Sequence, residues 1–154
     1  GLSLHDPQHP DIHSQALAQG KLFLLAPHGW LQPKQKYVAL QDLAGQAMVG
    51  LEGQDPLSVM LASKLQNLRP SPVIQTRVQT YQMMRSLVEA GEGLAIVDPF
   101  TAVGARSAGL DVCPLSPPIS VTLYALRRHG SDSSPLTTAL LELLTEQAEA
   151  LLAG

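Results

Sequence analysis

Residues 78–102 constrain this chain more than any other stretch, because local chemistry there specifies a start, a stop and a restart of regular structure. Thr80 stands where a helix N-cap belongs, Met83, Met84, Leu87 and Val88 supply an apolar face, and Ala90-Gly91 brings a glycine suited to a left-handed C-cap. Leu94-Ala95-Ile96-Val97 is then an apolar run of strand length, and Asp98-Pro99 opens a further short helix. Gly91-Glu92-Gly93 is not a dinucleotide-binding loop, since it leaves a helix and enters a strand, the reverse of the required order.

The same grammar recurs upstream. Gln46 to Leu51 reads as an apolar strand, Asp55-Pro56 as an N-cap followed by proline at the first helical position, and Leu57, Met60, Leu61 and Leu65 keep helical spacing over about 56–67. Val73 to Val78 alternates like a half-exposed strand. Strand 46–51 with helix 56–67, and strand 73–78 with helix 80–90, feed into strand 93–97 and predict a mainly parallel sheet covered by helices. In open sheets of this kind ligands gather outside the carboxyl ends of the strands, where helix N-termini present backbone N–H groups. That places a candidate site at Glu52–Asp55, Gln79–Tyr81 and Asp98–Phe100, and predicts that the three turns share one sheet edge.

Outside this block, Gly1 to Leu4 reads as the end of a strand, His5 to His13 as a surface loop, and Lys21 to Ala26 as a buried strand stopped by Pro27. Val38 to Ala44 suggests a short helical turn closed by Gly45, and Leu110–Cys113 and Ile119–Ala125 suggest strands. Ser131 to Ser134 precede a final helix carrying Leu136, Leu140, Leu143, Leu144 and Leu151.

Composition narrows the function classes. Hydrophobic residues make up 45% of the 154, enough for a packed core, while charged residues are only 15% and the net charge is −3. Arg127-Arg128 is the only adjacent basic pair, so no basic stripe can neutralise a run of phosphates, and DNA contact would need another segment. Pro27, Gly50 and Pro99 interrupt the longest apolar stretches before they reach membrane-spanning length, so no membrane partner is expected. The single cysteine, Cys113, forms no intrachain disulfide and has no metal-ligand spacing around it, in keeping with a reducing, cytoplasmic setting. The opening Gly1-Leu2-Ser3-Leu4 has neither initiator Met nor charged n-region, and reads as the start of an excised part of something longer.

Thr80-Tyr81-Gln82-Met83-Met84-Arg85-Ser86-Leu87-Val88-Glu89-Ala90-Gly91-Glu92-Gly93, followed by the apolar strand and Asp98-Pro99, resembles the effector-binding domain of LysR-type transcriptional regulators. Val38-Ala39-Leu40-Gln41-Asp42-Leu43-Ala44-Gly45 is similar to that family's turn before the first strand of its second lobe. The resemblance implies an α/β, periplasmic-binding-protein-like two-lobe architecture, with one complete lobe and a partial first lobe. Residues 1–26 would be the first-lobe remnant and a crossover strand, 27–118 the second lobe, and 119–154 the return crossover with the C-terminal helix. The winged helix-turn-helix, its linker helix and the start of the first lobe would lie outside this sequence. Asp98-Pro99-Phe100-Thr101-Ala102 is most similar to the branch holding lysine-biosynthesis and opine-responsive regulators, which implies an amino acid or derivative as effector. The implied effector contacts are Thr80, Tyr81, Glu52, Gly53, Gln54, Asp98, Pro99, Phe100 and Pro27, in a cleft between the lobes. A homo-oligomer, a dimer by analogy with the family, follows, with no cofactor and no catalysis. The alternative of another class is a periplasmic-type solute-binding protein, which shares the architecture.

Each candidate residue also has a plainer reading. Thr80 is either an effector contact or only an N-cap, and Asp55 is explained by capping alone, which leaves Glu52 the better partner for a ligand ammonium group. His5, His9 and His13 have the spacing of a helical metal face, but Pro7 and Pro10 forbid that helix. His129-Gly130-Ser131-Asp132 holds the residue types of a hydrolase triad, yet neighbours in one loop cannot take up nucleophile, base and orienter positions. Cys113, beside Pro114 in a strand, reads as a buried inert thiol, and Trp30 as the edge of a core or a cover for a ligand or dimer partner.

Overall fold

The computed structural model describes residues 1–131 and 134–153. In chain order the elements are β1 (Leu2–Ser3), β2 (Ile12–Lys21), β3 (Phe23–Ala26), β4 (Val38–Ala39), a 3-10 turn (Leu40–Leu43), β5 (Ala47–Leu51), α1 (Pro56–Gln66) and β6 (Val73–Val78). There follow α2 (Tyr81–Glu89), β7 (Ala95–Val97), α3 (Pro99–Ser107), β8 (Asp111–Ser116), β9 (Ser120–Arg128) and α4 (Pro135–Ala153). They fall into two compact units, one of Gly1–Gly20 with Ser120–Gly154 and one of Lys21–Ile119. β3 belongs to the second unit because its backbone partners, β7 and β8, are both there, so the boundary falls at Gly20/Lys21 and not after Ala26.

The Lys21–Ile119 unit is built on mixed strand pairing. β5 and β6 run parallel from Ala47↔Val73 to Leu51↔Val78, with a register shift at Met48/Val49. A parallel bridge, Met48↔Leu94, joins β5 to the entry of β7 through Val49 N–H to Leu94 O (2.8 Å) and Leu94 N–H to Ala47 O (2.9 Å). This parallel set lies where the two strand–helix units predict it. β3 then adds antiparallel pairs to β7 and β8 on its two sides, and the two-residue β4 runs parallel to β8. The helices bury small and branched side chains on this sheet: Val88 and Met84 of α2 and Ala102 and Ala105 of α3 meet Val49, Val78, Ala95 and Val97. α2 stops where expected, with Gly91 at φ +82, a backbone conformation that favours glycine.

The other unit has a three-stranded sheet in the order β1-β9-β2, with the terminal ammonium of Gly1 donating to Leu126 O at 2.7 Å. β2 begins at Ile12, inside the stretch read as loop, and runs to Lys21. α4 opens with Ser134 Oγ accepting the Thr137 N–H at 3.2 Å. Ala148 is its one buried residue among those described, and Leu136, Leu140 and Leu143 stand exposed. His129 and Ser131 are engaged with backbone, through His129 N–H to Asp11 O and Ser131 Oγ to Arg128 O, whereas Asp132 lies outside the described residues. No helix among the described residues is long and apolar enough to cross a membrane.

Candidate functional site

Three helices of the Lys21–Ile119 unit start from one edge of its sheet. β5, β6 and β7 run in the same direction, and the Glu52 N–H donates to Val78 O at 2.7 Å, which ties the turn after β5 to the end of β6. Each turn then ends in a side chain that accepts from the first turn of its helix. Asp55 Oδ2 takes the Ser58 N–H (3.0 Å) and Asp55 Oδ1 the Ser58 hydroxyl (2.7 Å). Thr80 Oγ1 takes the Met83 N–H at 3.1 Å. Asp98 Oδ1 takes both the Phe100 N–H (2.9 Å) and the Thr101 N–H (3.0 Å), while Asp98 Oδ2 accepts the Thr101 hydroxyl. The predicted meeting of the three turns is thus present, and three positive helix ends converge with it.

Tyr81 marks how closely they converge. Its phenol is pushed up from 10.0 to about 12, first by burial, then by the negative charge of Asp98 and of Asp55. The neutral phenol is therefore favoured by the fold. Because the folded value lies above the unfolded one, this contribution is complete below pH 10 and is lost as pH rises through about 12. Its size is on the order of 2 to 3 kcal/mol. An absorbance titration at alkaline pH should find one of the three tyrosines ionising late, and Tyr81→Phe should remove that component and flatten the stability curve between the two values. A titration of Tyr81→Phe identical to that of the parent chain would contradict the assignment.

The remaining candidates sort by geometry. Glu52 and Gln54 are exposed beside the caps. Gly53 sits so close to the α1 cap that a Cβ there would come within 2.8 Å of both Asp55 Oδ1 and Ser58 Oγ. Asp98 is only 4% exposed and its two oxygens already accept three hydrogen bonds, so its carboxylate holds α3 in place while Phe100, half-buried, is the accessible residue of that turn. Pro99 is buried. Thr80 is exposed, and its oxygen accepts the cap bond, which leaves the hydroxyl proton available to donate.

Pro27 does not join this group. β3 runs antiparallel to β7, with Phe23 opposite Val97 and Leu25 opposite Ala95, so Pro27 comes out at the far end of the sheet. The same pairing brings residues 21–23 to the Asp98 edge instead, a consequence of strand direction that no local sequence signal carries. Arg85 also turns away, bonding Glu89 through Nε at 2.8 Å and lying against Gly104 of α3. Cys113 is buried, and that burial pushes its thiol up against a smaller opposing effect of Arg106. Among the described residues no group of three or more His, Cys, Asp or Glu is placed to hold a metal ion.

Comparison with known proteins agrees with this geometry. Residues 1–149 match the family model described as the LysR substrate binding domain. Among curated proteins, the HTH-type transcriptional regulator DgcR of Pseudoalteromonas sp is 27% identical over 138 residues, covering 88% of this chain and 47% of DgcR, so the chain spans about half of that relative. Among solved structures, the regulatory domain of Synechocystis PCC6803 CcmR in complex with 2-PG superposes with a TM-score of 0.72 at 17% identity, covering 95% of this chain and 71% of that one. The effector binding domain of QuiR in complex with shikimate gives 0.72 and 17%, covering 97% and 71%. A mixed sheet with helix N-termini gathered at one strand edge, in the fold of these domains and matched along nearly its whole length, makes this chain a member of the LysR substrate-binding domain family.

Proposed function

We propose that this chain is the effector-sensing part of a LysR-type transcription regulator, and that a small amino-acid-like molecule docks at the edge formed by residues 52–55, 80–81 and 98–100. The observation that carries the reading is the convergence of three capped helix N-termini on one strand edge beside the exposed Glu52. Backbone N–H groups and the Thr80 hydroxyl suit a ligand carboxylate. The Glu52 carboxylate, for which no partner is found among the described residues, suits an ammonium group. The relatives CcmR and QuiR, whose structures contain 2-PG and shikimate, support small-molecule binding as the task. In this reading DNA is contacted in the cytoplasm by a winged helix-turn-helix elsewhere in a longer, homo-oligomeric protein. The effector acts by preferring one arrangement of that assembly over another, since only differential affinity can shift such an equilibrium. No catalytic step is assigned.

A thermal-shift panel of amino acids and opines, with shikimate for contrast, tests this. A true effector present at about 100 times its Kd adds about 2.7 kcal/mol of stability. Glu52→Gln should weaken amine-bearing probes by about tenfold while leaving amine-free carboxylates unaffected, and Thr80→Val should weaken both. If no amine-bearing probe stabilises the chain, or if Glu52→Gln changes nothing for those that do, the amino-acid reading fails.

A further inference from the structure

α1 carries the apolar positions of a core helix, and yet none of its residues is buried. Leu57, Met60, Leu61, Ala62 and Leu65 are all only half-buried. A cavity of about 100 Å³ lies between α1 and the β5–β6 pair, with walls that include Leu61, Leu65, Ile74 and Met84. Interiors are close-packed, so an apolar hole under an apolar helix face is a place where a guest would complete the packing. Arg77 also lines this space. Its guanidinium lies over Gly50, where a Cβ would come within 3.3 Å of Nη1, and no carboxylate partner for it is found among the described residues. Apolar walls with one unpaired guanidinium at the margin match a molecule with a short hydrocarbon body and a single negative end. A hole of about 150 Å³ accommodates benzene, so this one suits a body of about four carbons.

We propose that the space beneath α1 is a second ligand site, taking a short aliphatic carboxylate whose body lies among Leu61, Leu65, Ile74 and Met84 and whose carboxylate meets Arg77. It adjoins the edge that bears Glu52 and Thr80 through Leu51, Ser58 and Tyr81, but neither Glu52 nor Thr80 lines it. A guest here completes the burial of α1, the helix capped by Asp55, and so fixes the neighbouring turn.

Isothermal titration and thermal shift with isovalerate and with 3-methylbutan-1-ol, which has the same hydrocarbon body without the charge, provide the test. Isovalerate should stabilise the chain, with the alcohol binding more weakly. Arg77→Gln should weaken isovalerate by about tenfold and leave the alcohol unchanged. Ala62→Leu, which fills the cavity from α1, should abolish both, with circular dichroism confirming the fold. Glu52→Gln should leave both unchanged, so failure here and failure of the amino-acid reading are told apart. The proposal is overturned if isovalerate at about 10 mM does not bind the parent chain. It is overturned equally if Arg77→Gln binds isovalerate as the parent does, or if a folded Ala62→Leu still binds it.

Discussion

Gly93→Ala is expected to destabilise the Lys21–Ile119 unit by about 4 kcal/mol, the sum of backbone strain and overpacking. Gly93 has φ +136, a conformation that side-chain-bearing residues rarely adopt. A Cβ there would also come within 2.7 Å of Ala47 O and 3.0 Å of Ala47 C. These are backbone atoms in the strand to which β7 is joined, because Ala47 O accepts the Leu94 N–H. Neither partner can move without breaking the Met48↔Leu94 bridge. Urea unfolding followed by circular dichroism measures the loss, and a midpoint unchanged from the parent chain would contradict the close approach. Gly91→Ala makes the control: it also has positive φ, at +82, but nothing lies within 4 Å of the added Cβ, so its effect should be the smaller of the two.

Asp98→Ala should cost about 3 kcal/mol, combining the loss of a cap with the stranding of donors in a buried place. The Thr101 N–H and hydroxyl both donate to Asp98, and the two residues are only 4% and 5% exposed. Asn caps helices about as well as Asp, so Asp98→Asn should retain much of the stability. It should still change the titration of Tyr81, because the Asp98 charge follows burial as a cause of that phenol's elevation and its removal lets the value fall towards 10.0. Unfolding curves paired with an alkaline absorbance titration separate the two roles. If Asp98→Asn leaves the late-ionising tyrosine where it was, the proximity of the two side chains is wrong.

The features legible in the sequence are those written in neighbouring residues. Asp55-Pro56, Thr80 and Asp98-Pro99 predict three helix starts, and each is found with its side chain accepting from the first turn. The apolar runs at 46–51 and 94–97 and the alternating stretch at 73–78 place the strands that make those starts coincide. What stayed hidden depends on contacts between distant residues. Nothing in Lys21–Ala26 states that the strand runs against β7, and that one direction decides whether Pro27 or residues 21–23 lie at the Asp98 edge of the sheet. The α1 face was equally deceptive, since periodicity reports which residues point inward but not whether anything fills the space they point into.

At the strand edge the capping residues alternate with others whose side chains show no hydrogen bond among the described residues. Asp55, Thr80 and Asp98 fix the helices, while Glu52, Gln54, Gln79 and Gln82 stand exposed between or beside them. In the proposed reading Asp55 and Asp98 serve folding, Thr80 serves folding and recognition together, and Glu52 serves recognition. On that reading a lineage carrying this scaffold can exchange what Glu52 and its exposed neighbours read, one substitution at a time, while the Asp55 and Asp98 caps keep the fold.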